Sequence, residues 1–287
     1  MVRPFLLPIF AAVVTSPNLL NLYPQPGAIG LFDSGIGGLS VASAVAELLP
    51  EEDLLYVSDN AHAPYGPQAP EAILDYSRRI TESLLQAGCK LIVVACNTAT
   101  SLAIDQLRAE HPDVPFVGLE PAVKPAAREE RVGVLATQAT LNSARYQQLK
   151  AKYLHGRPVL EDACVGSVPL IESEVSGSPA LRAKLHEILD PMLAVGVTAL
   201  VLGCTHYPMI KADIAAVCGL EVALIDPAPA AARQVGRVVA EIGAASVDNL
   251  TPVYDFYATG DGRALRRALM GLPFLNKRQR LLTPASG

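Results

Sequence analysis

The sequence contains two similar halves, and this repetition constrains the fold more than any other feature. The strand-like run around Gly30 resembles the run around Gly133, and the run ending at Cys96 resembles the one ending at Cys204. The two offsets are nearly equal, 103 residues from Gly30 to Gly133 and 108 residues from Cys96 to Cys204. An internal duplication explains this spacing, and convergence of two unrelated strand–loop segments is the alternative.

Short β-branched runs alternate with longer helical patterns along the whole chain, which is typical of βαβ units around a parallel sheet. Combined with the repeat, this predicts an α/β protein of two similar doubly wound parallel-sheet domains. A pseudo-twofold axis would relate the domains, with the active site in the cleft between them. In the first half, the pattern predicts strands at 28–32, 54–57 and 91–95 and helices at 41–49 and 71–87.

Composition excludes several classes of protein. Of the 287 residues, 51% are hydrophobic and 18% are charged, which fits a well-buried globular chain rather than a disordered one. A net charge of -5 argues against a nucleic-acid partner. The apolar run 5–14 is too short to span a bilayer and no small-residue cleavage site follows it, so we expect a cytoplasmic protein without membrane attachment.

The five cysteines lack the spacing of a disulfide or zinc framework, which indicates free thiols in a reducing compartment. Ligands of open α/β sheets bind beyond the carboxyl ends of the strands, so Cys96 and Cys204 should face each other across one cleft. A thiolate is both a nucleophile and a base. Two thiols on opposite faces of a carbon can remove one proton and return another, which inverts a stereocentre.

Other interpretations remain open for the same residues. The two cysteines could simply pack, could form a disulfide, or one could be an acyl-transfer nucleophile with His206 as its base. Asp33 ends the first strand and His206 lies two residues after Cys204, so each could exchange a proton with one of the two thiols. Asp33 could instead cap a helix, and His206 could bond only to backbone.

The glycine-rich loop 35–38 follows the first strand, where nucleotide sites often lie. The spacing is incomplete for a dinucleotide fingerprint, because Ser40 occupies the last glycine position. Close approach of backbone amides to a carboxylate explains the glycines equally well.

Five motifs together resemble the glutamate racemase family of the aspartate/glutamate racemase superfamily. They occur in the family's order and cover about residues 27–280. The motifs are GLFDSGIGGLS at 30–40, SDNAHAPYG at 58–66, VACNTA at 94–99, EPAVKPA at 120–126 and LGCTHYP at 202–208.

The resemblance implies interconversion of L- and D-glutamate without pyridoxal phosphate, metal or nucleotide, which supplies D-glutamate for peptidoglycan. It implies that Cys96 and Cys204 are the two acid/bases, assisted by Asp33 and His206 respectively. Glu172, in a PLIE stretch, is also implicated in the family. Positions implied to contact the substrate are Asp33, Ser34, Tyr65, Gly66, Asn97, Thr98, Thr205 and His206.

The resemblance also implies a domain division, with the C-terminal segment returning to the first domain. We expect an N-terminal extension at 1–26, a first domain at 27–120 plus 227–287, and a second domain at 121–226. The extension and the stretch NAHA at 60–63 resemble the subgroup activated by a UDP-muramoyl-alanine precursor. Homodimer formation stays open, as does which of Thr137 and Thr140 reaches the cleft.

Aspartate racemase is the nearest alternative activity. Those enzymes typically have Glu where this chain has His206, and often His where this chain has Thr100, so the motifs favour glutamate. A remote alternative is a regulatory module that binds glutamate or a nucleotide and has inert thiols.

Overall fold

The computed structural model describes residues 14–15, 22, 24–174, 176–247, 249–272 and 275. This part of the chain contains ten β-strands. They are β1 (Val14–Thr15), β2 (Ile29–Asp33), β3 (Leu54–Ser58), β4 (Leu91–Val94), β5 (Phe116–Gly118), β6 (Val132–Leu135), β7 (Val159–Asp162), β8 (Ala199–Leu202), β9 (Ala223–Ile225) and β10 (Tyr254–Ala258).

The same part of the chain contains eleven α-helices and one 3-10 helix at Tyr207–Ile210. The α-helices are α1 (Leu39–Leu48), α2 (Pro70–Gln86), α3 (Asn97–Glu110), α4 (Val123–Ala126), α5 (Gln138–Asn142), α6 (Ala144–Tyr153), α7 (Ser167–Ser173), α8 (Pro179–Ala194), α9 (Lys211–Cys218), α10 (Ala228–Glu241) and α11 (Arg263–Met270). Each element predicted for the first half lies within two residues of its observed bounds. Among the described residues, no helix is long and apolar enough to cross a membrane.

The strands form two sheets in which every pair is parallel. The first sheet has the order β1-β10-β3-β2-β4-β5, and the second has the order β7-β6-β8-β9. Strands β2, β3, β4, β6 and β8 are buried along their whole length, because helices cover both faces. The predicted α/β class with two parallel sheets is confirmed.

The second sheet repeats part of the first. The strand order β3-β2-β4-β5 corresponds to β7-β6-β8-β9, and the central strands β2 and β6 pair with their neighbours in the same register. Ile29 lies opposite Leu91, as Val132 lies opposite Ala199. Cys96 and Cys204 are each five residues beyond these partners. This equivalence favours duplication over convergence.

The chain passes between the two sheets twice. It leaves the first sheet after β5 and returns along α10, whose buried residues pack in the same core as α1 and β2. Strand β10 then inserts beside β3 in the first sheet. The carboxyl ends of β2, β4 and β8 consequently carry the polar loops that meet between the two sheets.

Candidate active site

Cys96 lies where β4 ends and α3 begins. Its Sγ atom accepts a hydrogen bond from the backbone N–H of Ala99 at 3.5 Å, so the thiol caps a 14-residue helix. The hydroxyl of Ser34 lies 3.8 Å from the same sulfur, and the side chain is only 4% exposed. The helix N-terminus is a site that favours negative charge.

Cys204 occupies the equivalent position after β8 and is 6% exposed. Its Sγ atom lies 3.8 Å from Nδ1 of His206. Both cysteines line one small cavity between the two sheets, whose volume of about 20 Å³ suits one or two water molecules. The lining residues are Ser34, Pro64, Tyr65, Gly66, Cys96, Asn97, Thr98, Thr137, Val168, Cys204, Thr205 and His206.

Asp33 forms hydrogen bonds to the loops that follow β2 and β8, one from each sheet. Its fully buried carboxylate accepts backbone hydrogen bonds from Gly35 and Gly38, each 3.1 Å long. The other carboxylate oxygen accepts a bond of 3.3 Å from the Thr205 hydroxyl. Burial raises the pKa of Asp33, although the charge of His206 and the two amides act in the opposite direction.

His206 is held between Cys204 and Glu172. The Nε2 atom of His206 is 2.8 Å from Oε1 of Glu172, which also accepts a 3.3 Å bond from the backbone N–H of Ile36. Burial acts to lower the pKa of His206, but Cys204, Glu172 and Asp33 outweigh it and raise the pKa well above its ordinary value. Burial acts to raise the pKa of Glu172, but His206 outweighs it and the pKa is lowered.

The two thiols therefore have different electrostatic surroundings. Burial and the charge of Asp33 raise the pKa of Cys96, which favours the neutral thiol there at neutral pH. The sulfur of Cys204 instead lies beside the imidazole of His206.

The remaining predicted contact positions surround the cavity. The side-chain nitrogen of Asn97 donates to the carbonyl of Leu119 at 3.2 Å, and its buried oxygen has no hydrogen-bond partner among the described residues. The Thr98 hydroxyl lies 2.9 Å from the hydroxyl of Thr137. Tyr65 lines the cavity, and its hydroxyl donates to the carboxylate of Asp59, which is not a lining residue.

Two lining residues were absent from the predicted set, Pro64 and Val168, and Thr137 is one of the two threonines that the sequence left open. The repeat offers a signal for Thr137, because it lies 103 residues after Ser34 at the end of the equivalent strand. Thr140 is fully buried and bonds to Thr137 at 3.1 Å, so Thr137 is the one that reaches the cavity. Pro64 and Val168 carry no chemical group that a sequence pattern could single out.

Charge around the cavity is sparse. Among the described lining residues, His206 is the only side chain that can carry a positive charge near neutral pH, and neither Lys nor Arg is present. Within the described part of the chain, no cluster of three or more His, Cys, Asp or Glu side chains is arranged as a metal site.

Comparison with known proteins identifies the family. The family model described as Asp/Glu/Hydantoin racemase matches residues 38–235, more than half of the chain. The chain belongs to this racemase family.

Relatives within the family carry a more specific name. The chain is 47% identical to a glutamate racemase of Pseudomonas aeruginosa over 218 residues, which is 75% of this chain and 82% of the relative. It is 44% identical to a glutamate racemase of Pseudomonas putida over 246 residues, covering 84% and 92% of the two chains.

Solved structures of the same family have the same architecture. A glutamate racemase of Francisella tularensis in complex with D-glutamate superposes with a TM-score of 0.77 at 31% identity, covering 91% of this chain and 98% of that one. The Escherichia coli glutamate racemase, in complex with L-glutamate and the activator UDP-MurNAc-Ala, gives 0.77 at 29% identity over 89% and 97%.

Proposed function

We propose that this racemase interconverts L- and D-glutamate by proton transfer at Cα, without a cofactor, and so supplies D-glutamate for peptidoglycan synthesis in the cytoplasm. The observation that carries the proposal is the placement of Cys96 and Cys204 on one cavity, each at the equivalent strand end of its own sheet. The identity of 44–47% to curated glutamate racemases supports glutamate as the substrate.

The two cysteines act as the two bases. For the enantiomer whose α-hydrogen faces Cys204, the Cys204 thiolate removes that proton, and the Cys96 thiol donates its own proton to the opposite face of the carbon. The enzyme is left with a Cys204 thiol and a Cys96 thiolate, which is the form that handles the other enantiomer. The cation of His206 stabilises the thiolate on one side.

Asp33 and Glu172 support this exchange without contacting the α-carbon. Asp33 fixes the loop 35–38 through its two amide bonds and reaches Thr205 beside the second thiol. Glu172 holds the imidazole of His206 through Nε2, which leaves Nδ1 facing the Cys204 sulfur. Each thiol thus has an ionisable neighbour that is itself held by hydrogen bonds.

The α-carbanion is a high-energy species, so the site must stabilise it by groups that are already oriented. Fixed donors in a water-excluded cavity act most strongly where charge develops. The hydroxyls of Ser34 and Thr98 and the amides at the start of α3 are suitable neutral donors for the substrate carboxylates. The partnerless oxygen of Asn97 suits the substrate ammonium group.

Substrate entry requires the cavity to widen. A cavity of about 20 Å³ holds water but not an amino acid, so glutamate must enter a wider cleft and be enclosed afterwards. Enclosure also removes bulk water from the carbanion.

The direct test is chiral chromatography of purified protein incubated with each enantiomer of glutamate, with aspartate assayed in parallel. Formation of the opposite glutamate enantiomer from both directions supports the proposal. Turnover of aspartate alone would favour the aspartate racemase alternative, and no turnover would favour a binding module.

Activation by a UDP-muramoyl-alanine precursor stays a prediction. The Escherichia coli structure holds such a molecule as its activator, at 29% identity to this chain. Adding the precursor to the same assay tests it, because an activated enzyme gains turnover at fixed glutamate whereas an independent one does not. Homodimer formation is a separate prediction that sedimentation of the purified protein would test.

A further inference from the structure

Several polar contacts meet on the buried carboxylate of Asp59, behind the wall of the active site. Asp59 directly follows β3 and is 1% exposed. One of its oxygens accepts a 2.5 Å bond from the Tyr65 hydroxyl, and the other accepts a 2.7 Å bond from the Thr259 hydroxyl. Nδ1 of His62 lies 2.8 Å from the second oxygen and 3.0 Å from the first.

The segment after β10 makes further hydrogen bonds to the loop 60–66, which follows Asp59. The Thr259 hydroxyl also accepts a 3.1 Å bond from the backbone N–H of Ala61. The side chain of Asn60 accepts a bond from Gly260 at 2.9 Å and donates one to the carbonyl of Asp261 at 2.7 Å. The loop 60–66, which carries three residues of the cavity wall, is therefore fixed by residues about 200 positions later in the chain.

The Tyr65 hydroxyl is bound to the Asp59 carboxylate, which is not among the residues that line the cavity. Burial and the neighbouring Asp59 charge raise the pKa of Tyr65 well above its ordinary value, so the hydroxyl stays protonated and donates to the carboxylate. The ring of Tyr65 and the backbone of Gly66 both line the cavity. The bond to Asp59 therefore links this side of the cavity to the residue that follows β3.

We propose that Asp59 and Thr259 are positioning residues that hold the Tyr65–Gly66 wall in the geometry that binds the substrate. This inference rests on the proposed glutamate racemase activity. Thr259 acts through the Asp59 carboxylate, and the carboxylate acts through the Tyr65 hydroxyl. Losing one of these two hydrogen bonds loosens the wall but leaves both cysteines in place. Substrate binding should therefore weaken more than proton transfer slows.

Thr259→Val tests the inference, because valine has nearly the same shape but lacks the hydroxyl. We expect the KM for glutamate to rise roughly fivefold, with kcat within about twofold of the parent, since a hydrogen bond to a charged group is lost. Thr259→Ser keeps both hydrogen bonds and should restore the parent KM. Thr198→Val is the matched control, because that hydroxyl also contacts backbone groups, those of Arg131, in the second sheet.

Tyr65→Phe provides a second variant, which removes the hydrogen bond from the Tyr65 hydroxyl to Asp59 and keeps the ring. If both residues act through Asp59, the fold-increase in KM of the double variant will be well below the product of the fold-increases of the two single variants. Independent effects that multiply would overturn the coupling.

The outcomes separate this inference from the proposed function. A parent protein that does not racemise glutamate overturns the proposed function and this inference with it. An active parent with an unchanged KM in Thr259→Val overturns this inference alone. A loss of folded protein with unchanged KM in the remaining active fraction assigns Thr259 a purely structural role and likewise overturns it.

Discussion

Cys96 and Cys204 occupy equivalent backbone positions but differ in what surrounds the sulfur. Cys96 caps a helix and lies near the Ser34 hydroxyl, whereas Cys204 lies beside the imidazole of His206. A symmetric reaction at one carbon does not require identical bases. It requires two groups that exchange protons on opposite faces of the carbon, and either group can be the one that is ionised in the resting enzyme.

Serine substitutions test each cysteine separately. Cys96→Ser and Cys204→Ser should each lower racemisation by roughly two orders of magnitude or more, because a hydroxyl is a far weaker base than a thiolate. Elimination from a glutamate analogue with a leaving group at Cβ needs only one base. Each variant should therefore retain elimination with one enantiomer, and the two variants should retain opposite ones.

Cys218→Ser is the control for this pair, because Cys218 ends α9 and is not among the residues that line the cavity. Racemisation by the control should equal that of the parent. Racemisation by Cys96→Ser at the parent rate would contradict the two-base mechanism.

His206 should make stability depend on pH. Its folded-state pKa is raised, so the stabilisation is fully present below the unfolded pKa of about 6.5 and is lost as the pH rises through the folded value. Urea denaturation of the parent should show a free energy of unfolding that falls above about pH 6.5 more steeply than that of His206→Gln.

His186→Gln is the matched control, because that histidine is half exposed on α8 and its Nδ1 lies 3.0 Å from the carboxylate of Asp190. Its profile should follow the parent. Parallel profiles for the parent and His206→Gln would show that His206 is not held as a cation.

Among the elements, the loop between β2 and α1 brings the two sheets into contact. A Cβ atom on Gly37 would lie 2.5 Å from Oγ1 of Thr205 and 2.7 Å from the backbone nitrogen of His206. A Cβ atom on Gly35 would lie 2.0 Å from Oε1 of Glu172. Glycine is required at Gly37 because the loop of the first sheet approaches the backbone of the loop after β8, whereas a Cβ on Gly35 would meet the end of a flexible side chain; no nucleotide is needed to explain either glycine.

Gly37→Ala should therefore hinder closure of the active site. Displacement of the Thr205–His206 segment by even part of an ångström should lower kcat/KM by tenfold to a hundredfold, as misplacement of reacting groups commonly does. Gly236→Ala on α10 is the control, because its Cβ would meet only Leu49 and Leu48, at 3.6 and 3.9 Å. Equal kcat/KM in both variants would show that the contact between the two sheets is unimportant.

For the whole molecule, the sequence predicts the elements and the strand-end residues well, because these depend on local patterns. A buried β-branched run followed by polar residues identifies the positions of Cys96, Cys204 and Asp33 without knowledge of the rest of the fold. Glu172 could be named only from the family resemblance, because its helix α7 lies far in sequence from His206. The Asp59–Thr259 contact was not predicted, since it depends on β10 inserting beside β3 late in the chain.

The central claim is that the two halves deliver one acid/base each to opposite faces of the same carbon. The measurement that tests it most directly is the deuterium content at Cα of each enantiomer early in the racemisation of L-glutamate in D2O. The enantiomers are separated by chiral chromatography and analysed by mass spectrometry. We expect the D-glutamate formed to carry deuterium at Cα while the remaining L-glutamate keeps its proton, because the entering proton comes from the opposite, solvent-exchanged thiol. D-glutamate that retains the original proton, or L-glutamate that exchanges before product forms, would contradict the account.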